Sequence, residues 1–403
     1  MKSFDLVVVG AGGAGYHAAR AAREANSSIS ILVIHDESHL PYRRSGLSRT
    51  LGAPSETDNL ILADENWFEK QRIELLQHVT VRAIDRGSRR LVLENTTGED
   101  SPDTVEYGAL VMATGADPVI PRVARVHEPG TAHVLRTRDD VTRLIEETSR
   151  IRTVLIVGMG VLAVEVADQL HRIDKDVTLL GATPQLMPRQ LNPRAGEILE
   201  DVLNSRALKL RFLEEIITYE RNRKGTWTAE TLREKLRSDL VVFCVGVEPR
   251  RLLAEAAGLD CGRGIKVNEY LQTSDPAIYA AGDCAEHPDS TISHLWESAA
   301  AQGELAGRNA AIETEKSRWS RGLFPLESTV FDQHIYSIGK PQNPAGYEIV
   351  EFEDGNRYYG FYYRNNHVDG AIVLNDPDRS RMVTRAVRDN WNREELRDTL
   401  GIP

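Results

Sequence analysis

At 403 residues, with 41% hydrophobic and 27% charged side chains, the chain has the composition of a globular protein of about two to three domains. Its 60 acidic residues outnumber 49 basic ones, and the net charge of −11 disfavours nonspecific binding to nucleic acid or an anionic membrane. Cys244, Cys261 and Cys284 form no CxxC pair and no apolar run nears the roughly 18 residues of a membrane span, so the expectation is a cytoplasmic protein without metal or disulfide.

The first element is the short apolar run from Asp5 to Val9, which reads as a buried parallel strand and is too short for a signal sequence. It runs into Gly10-Ala11-Gly12-Gly13-Ala14-Gly15 and an alanine-rich helix from Tyr16 to Ala25. Each glycine has a task in a dinucleotide-binding turn. Gly10 permits the tight turn, Gly12 lets backbone approach a pyrophosphate, and Gly15 lets helix and strand pack closely. A second strand, from Ser28 to Ile34, ends at Asp36 and Glu37, where a carboxylate can accept hydrogen bonds from an adenosine ribose.

The same grammar returns from Thr153: a strand, then Gly158-Met159-Gly160 with Ala163 as the third small residue, a helix through Val164 to Arg172, and a strand from Asp176 to Leu180. Two such folds in one chain point to two nucleotides and to hydride transfer between them. Ala163 slightly widens the helix–strand contact. Gly181 stands where an acid would select NAD, yet no arginine cluster follows to favour a 2′-phosphate, so coenzyme preference is not readable here.

These residues resemble the FAD-dependent pyridine-nucleotide oxidoreductases, and within them the rubredoxin reductase and ferredoxin reductase branch. The segment from His39 to Arg49, with Arg44 and Ser48, is similar to the family's PYxRPPLSK stretch beside the flavin. Thr114-Gly115 resembles its ATG turn, and Gly246 to Pro249 its GxxP turn. Thr273 to Asp283 matches TxxxxxYAxGD, which implies that Asp283, after Gly282, binds the ribityl chain of FAD. The resemblance further implies that the helix opened by His294, Trp296, Ser298 and Ala299 faces the flavin pyrimidine, with Trp296 near the ring. It also implies that Glu165 pairs with the residue ending PLSK, here Arg49, below flavin N5; both are assigned as catalytic.

Departures from the family narrow the reaction. No cysteine lies between Tyr42 and Arg49, and Ser45 stands where a single redox cysteine would be, so electrons must leave the flavin directly. Residues 216–235 are read as a hairpin excursion of the nucleotide domain. Beyond 321, Tyr347 to Phe352, Arg357 to Tyr363 and Val368 to Leu374 read as antiparallel strands, followed by a helix from Arg379 to Asn390. Tyr358, Tyr359, Tyr362 and Tyr363 are read as cross-strand packing and a homodimer interface, with an aromatic partner surface as the alternative.

The expected fold is α/β: two Rossmann-like three-layer domains for FAD and NAD(P), and a small α+β C-terminal domain. The expected boundaries are 1–117 and 251–320 for the FAD domain, 118–250 for the NAD(P) domain and 321–403 for the last. The expected function is a flavoprotein passing electrons from NAD(P)H to a small iron–sulfur-type carrier, rubredoxin foremost. The alternatives are a peroxide-forming NADH oxidase, a nitrite-reductase-type component, and a flavin redox sensor.

Overall fold

The computed structural model describes residues 2–95, 97, 102–125, 132–222, 225–320, 322–341 and 343–401. Positions 223 and 224 of the expected excursion, and 321, 342, 402 and 403 of the expected C-terminal domain, lie outside the described residues. The backbone divides into two compact units. One comprises Met1–Leu47, Ser55–Asp117 and Val247–Gly322; the other comprises Ser48–Pro54, Pro118–Gly246 and Leu323–Pro403. The C-terminal segment is therefore grouped with the second nucleotide fold, and the short stretch from Ser48 to Pro54 leaves the sequence around it to join that unit too.

The first unit is built on a sheet whose parallel part runs Ile73–Leu76, Ile31–Ile34, Lys2–Val9, Thr104–Met112. Arg90–Asn95 and Val79–Asp85 extend it antiparallel, and Ile278–Ala280 pairs in parallel with Thr104–Met112. Leu6, Val7, Val8 and all of Ile31–Ile34 are buried, as strands covered on both faces require. Val9 is in register with Ile34 on one side and Met112 on the other, so the three strands end level. Helices Gly13–Ala25 and Trp296–Ala311 meet at backbone contact. A Cβ on Gly303 would lie 2.1 Å from the Ala14 carbonyl oxygen, and one on Gly307 2.0 Å from that of Ala18. Glycine at both positions is what allows that approach.

The second unit holds a fully parallel sheet in the order Lys209–Phe212, Asp176–Gly181, Thr153–Val157, Leu240–Phe243. The excursion is a three-stranded antiparallel sheet of Thr218–Arg221, Trp227–Glu230 and Lys235–Ser238, pinned by stacking of Tyr219 on Trp227 at 4.2 Å between ring centres. The C-terminal part is an antiparallel sheet in the order Leu326–Val330, Gln333–Ile338, His367–Leu374, Arg357–Arg364, Glu348–Asp354. Helices Pro377–Arg388 and Arg393–Leu400 cover it through Val383, Ala386, Leu396 and Leu400.

Two of these strands, and the final helix, were not expected. Leu326–Val330 and Gln333–Ile338 are joined through Phe331 and Asp332, whose φ values of 49° and 62° are both left-handed, so this turn carries no glycine to announce it. The tyrosines require a correction. Tyr358, Tyr359, Tyr362 and Tyr363 are each 4% exposed or less, so they pack across strands within the chain and offer neither a dimer face nor an aromatic partner surface. Among the described residues, no helix is long and apolar enough to cross a membrane.

Candidate functional site

The first glycine turn is divided between structural and open positions. Gly10 has φ +103°, and a Cβ there would lie 2.2 Å from the Ala113 carbonyl oxygen. A Cβ on Gly15 would lie 1.8 Å from the carbonyl oxygen of Gly10 itself. Gly12 is different: a Cβ there meets nothing within 4 Å. The backbone requires glycine at 10 and 15, whereas at 12 it leaves open space. A pyrophosphate group fits that cradle.

The second turn repeats the arrangement. A Cβ on Gly158 (φ +138°) would lie 2.3 Å from the Cys244 carbonyl oxygen, and one on Gly160 meets nothing within 4 Å. Ala163 is fully buried in the helix that follows. Gly246, at φ +116°, is likewise open.

The helix termini separate in the same way. Arg138–Thr148, Pro193–Ser205, Pro377–Arg388 and Arg393–Leu400 are capped by the side chains of Thr137, Asn192, Asp376 and Asn392. Among the described residues, three long helices have no side-chain cap: Gly13–Ala25, Val161–Arg172 and Trp296–Ala311. The first two also carry no acid in the first turn. Their first-turn amides and the positive end of the helix dipole stay available to an anion. These are the three helices that the sequence assigns to nucleotide.

Around the first turn, Glu37 accepts from Tyr42 Oη at 2.6 Å and pairs with Arg44. Burial pushes the Glu37 carboxyl up, but the Arg44 guanidinium and the tyrosine hydroxyl overcome it and hold the group below its ordinary range. Glu37 is therefore an ionised acceptor held in place, while Asp36 lies 3.6 Å from Arg250 and is more exposed. Thr114 donates to the Arg250 carbonyl at 2.9 Å, and the Arg250 amide donates to the carbonyl of Gly115. Gly282 has φ +82° and sits against Ala14 and Ala299; its amide donates to Gln302, which donates in turn to Ser298 at 3.1 Å. Asp283 is half-buried, with His294 Nδ1 4.0 Å away. The Trp296 ring lies where a Cβ on Gly13 would come within 3.0 Å of it. Gln302 was missed in the sequence because nothing local marks a helical glutamine as the acceptor of the Gly282 amide, twenty positions earlier.

Glu165 is not paired as expected. Its carboxylate accepts from Ser48 Oγ at 2.8 Å and from Ser328 Oγ at 2.7 Å, both residues 2% exposed. Arg49 is exposed, and among the described residues it forms no ion pair with Glu165. The cause is local. Arg44–Leu51 is a 3-10 helix, so successive side chains point about 120° apart, and Ser48 rather than Arg49 faces Glu165. Ser328 was missed because it lies in one of the unexpected strands.

The thiols are not poised for exchange. Burial pushes Cys244 up to about 12 and raises Cys284, which is fully buried and donates to the carbonyls of Met112 and Ala281. Burial also raises Cys261.

A family model described as pyridine nucleotide-disulphide oxidoreductase matches residues 4–303. The assimilatory nitrate reductase electron transfer subunit of Bacillus subtilis is 28% identical over 394 residues, covering 95% of this chain and 49% of its own length. The NADH-rubredoxin oxidoreductase of Clostridium acetobutylicum is 26% identical over 387 residues, covering 96% of this chain and 95% of its own. Among solved structures, the ferredoxin reductase for the CYP199A2 system from Rhodopseudomonas palustris superposes with a TM-score of 0.83 at 27% identity, covering 92% of this chain and 91% of its own. The chain spans about half the length of the first curated relatives it matches.

Proposed function

The chain belongs to the pyridine nucleotide-disulphide oxidoreductase family, and from that premise we propose that it is an FAD-dependent NAD(P)H oxidoreductase serving a small one-electron carrier of iron–sulfur type, with rubredoxin as first choice. The observation that carries the reading is the division of helix termini. Among the described residues, the long helices left without a side-chain cap are the two behind open glycine turns and the one beginning at Trp296.

FAD would be held by the turn around Gly12, by Glu37 and Asp36, by Arg44, and by Asp283 with the Trp296 helix. NAD(P)H would be held by the turn around Gly160 and by Gly246. When bound, FAD supplies a centre that takes two electrons as hydride and releases them singly. The chain's own residues do the rest. Uncapped amides bind phosphate, Glu37 stays ionised to accept from ribose hydroxyls, and Glu165 and Arg49 are assigned to the hydride step. Glu165 is fixed by two serines, and Arg49 is the exposed member of that pair. Three thiols all held protonated by their surroundings offer no disulfide relay, so the carrier is reduced directly.

The test is anaerobic reduction of the FAD-loaded protein by NADH and NADPH, followed by a panel of acceptors. Rapid steady turnover with rubredoxin or a ferredoxin is expected, with little peroxide formed in air. Absence of flavin binding, or turnover only with a disulfide, would sink the proposal. A second reading is favoured by the length relation to the Bacillus relative: an electron-transfer module of a larger assembly. That reading predicts fast flavin reduction, with every soluble carrier turned over slowly.

A further inference from the structure

In dinucleotide folds, a carboxylate at the end of the second strand accepts the ribose 2′-hydroxyl of NAD and repels the 2′-phosphate of NADP, whereas an arginine there welcomes it. In this chain the strand is Asp176–Gly181, and its last residue is more than a passive gap. A Cβ on Gly181 would lie 2.7 Å from Cγ of Met159, the middle residue of the Gly158–Gly160 turn. That atom is close to the backbone and cannot swing aside like a chain end. Met159 is itself 4% exposed, and its carbonyl accepts from the amide of Met187 at 2.7 Å. The space a carboxylate would need is therefore filled.

The neighbouring charges do not replace it. Glu214 donates its amide to the Gly181 carbonyl at 3.1 Å, but its carboxylate is buried, accepting from Thr231 Oγ1 at 2.8 Å and lying 3.6 Å from Arg233. Arg211, beside the strand end, is held by Glu234 at 2.6 Å. Thr183 donates its hydroxyl to the carbonyl of Gln185.

We propose that Met159 and Gly181 are a matched pair that closes the 2′ position of the coenzyme site to a carboxylate, so that the protein accepts NADPH and NADH alike. This rests on the reading that the Gly158–Gly160 turn binds NAD(P)H.

The test is calorimetric binding of NADP⁺ and NAD⁺ to the FAD-loaded protein and three variants. In the unmodified protein the two affinities should agree within about tenfold, because Glu214 and Arg211 beside the strand end are already engaged by Thr231, Arg233 and Glu234. Met159→Ala should preserve that ratio. Gly181→Asp alone should weaken both nucleotides and lower Tm, since Met159 stands in its way. The double variant Met159→Ala/Gly181→Asp should regain NAD⁺ binding and weaken NADP⁺ by about twentyfold or more, as a like charge set against the phosphate requires. A hundredfold preference in the unmodified protein, or a double variant that discriminates no better than it, overturns the proposal. Failure of either nucleotide to bind would instead remove the underlying reading, and this one with it.

Discussion

Ser48 and Glu165, 117 positions apart, are joined by a hydrogen bond of 2.8 Å, and Ser328 completes the carboxylate from the other side at 2.7 Å. Both serine hydroxyls are buried and have this one acceptor group in common. Glu165→Ala should therefore strand two buried hydroxyls and destabilise the protein by about 1–3 kcal/mol in urea unfolding. Glu165→Gln, which keeps one acceptor oxygen, should cost less than half of that. In stopped-flow reduction, Glu165→Gln and Arg49→Ala should have additive effects within about 0.5 kcal/mol, because no contact couples them. Strong coupling would restore the ion pair expected from the sequence.

The glycine turn separates folding from binding. Gly12→Ala meets no atom within 4 Å, so the protein should fold with an unchanged melting curve as apoprotein yet lose flavin affinity by about tenfold or more. Gly15→Ala places a Cβ 1.8 Å from a backbone oxygen and should fail to fold. Circular dichroism against flavin absorbance distinguishes the two outcomes. Equal behaviour of the two variants would refute the division.

His35 gives the first unit an acid sensitivity. The residue is 8% exposed, its Nε2 has no hydrogen-bond partner among the described residues, and burial pushes the ring down to about 4 despite the nearby Glu37 and Asp36. Between pH 6.5 and 4 the unfolded chain binds a proton that the folded chain refuses, so stability falls as pH falls through that window and is flat above it. The loss at pH 4 approaches about 3 kcal/mol. His35→Gln should flatten that part of the stability profile, measured as urea midpoints from pH 4 to 7.5.

Asp168 is 2% exposed and binds the C-terminal sheet to the nucleotide fold of its own unit. It accepts from the Phe331 amide at 3.0 Å, Gln169 Nε2 at 3.0 Å and Arg172 Nε at 3.1 Å. Asp168→Ala leaves the buried Phe331 amide without its acceptor and Arg172 with only its bond to Asp332. The expected cost is on the order of 2 kcal/mol, with Asp168→Asn intermediate. Hydrogen exchange at the Phe331 amide should speed up in both variants.

Replacing Cys244, Cys261 and Cys284 together by serine should leave carrier reduction within about twofold, because thiols whose titration is pushed upward stay protonated and are poor nucleophiles. A collapse of turnover with FAD still bound would reveal a thiol step.

Much of the nucleotide machinery was legible because its demands are local. Gly10 and Gly158 take φ values of +103° and +138°, and a Cβ on Gly15 would clash with the carbonyl of Gly10 within the same motif, while buried parallel strands write themselves as β-branched runs. The Glu165 site was legible only in part. Matching Arg49 to a family position identified the right turn of chain, but which of two adjacent side chains faces inward is set by the helical pitch of Arg44–Leu51. The Leu326–Val330 and Gln333–Ile338 pair was missed because its turn uses left-handed Phe331 and Asp332, and Asp168 and the Arg206 guanidinium, from distant sequence, hold that turn.

The interleaving of the two units has a consequence for synthesis. Ser48 leaves the ribosome long before its acceptor exists. At about 5–20 residues per second, the 117 residues to Glu165 take roughly 6–23 s, and the 163 residues from there to Ser328 take roughly 8–33 s. During that time the Ser48–Pro54 stretch has no surface to settle on, and the flanking sequence is free to enclose it wrongly. A protein so threaded should depend on chaperones during translation more than its size suggests. Neither unit can be recovered by cutting the chain at a single point.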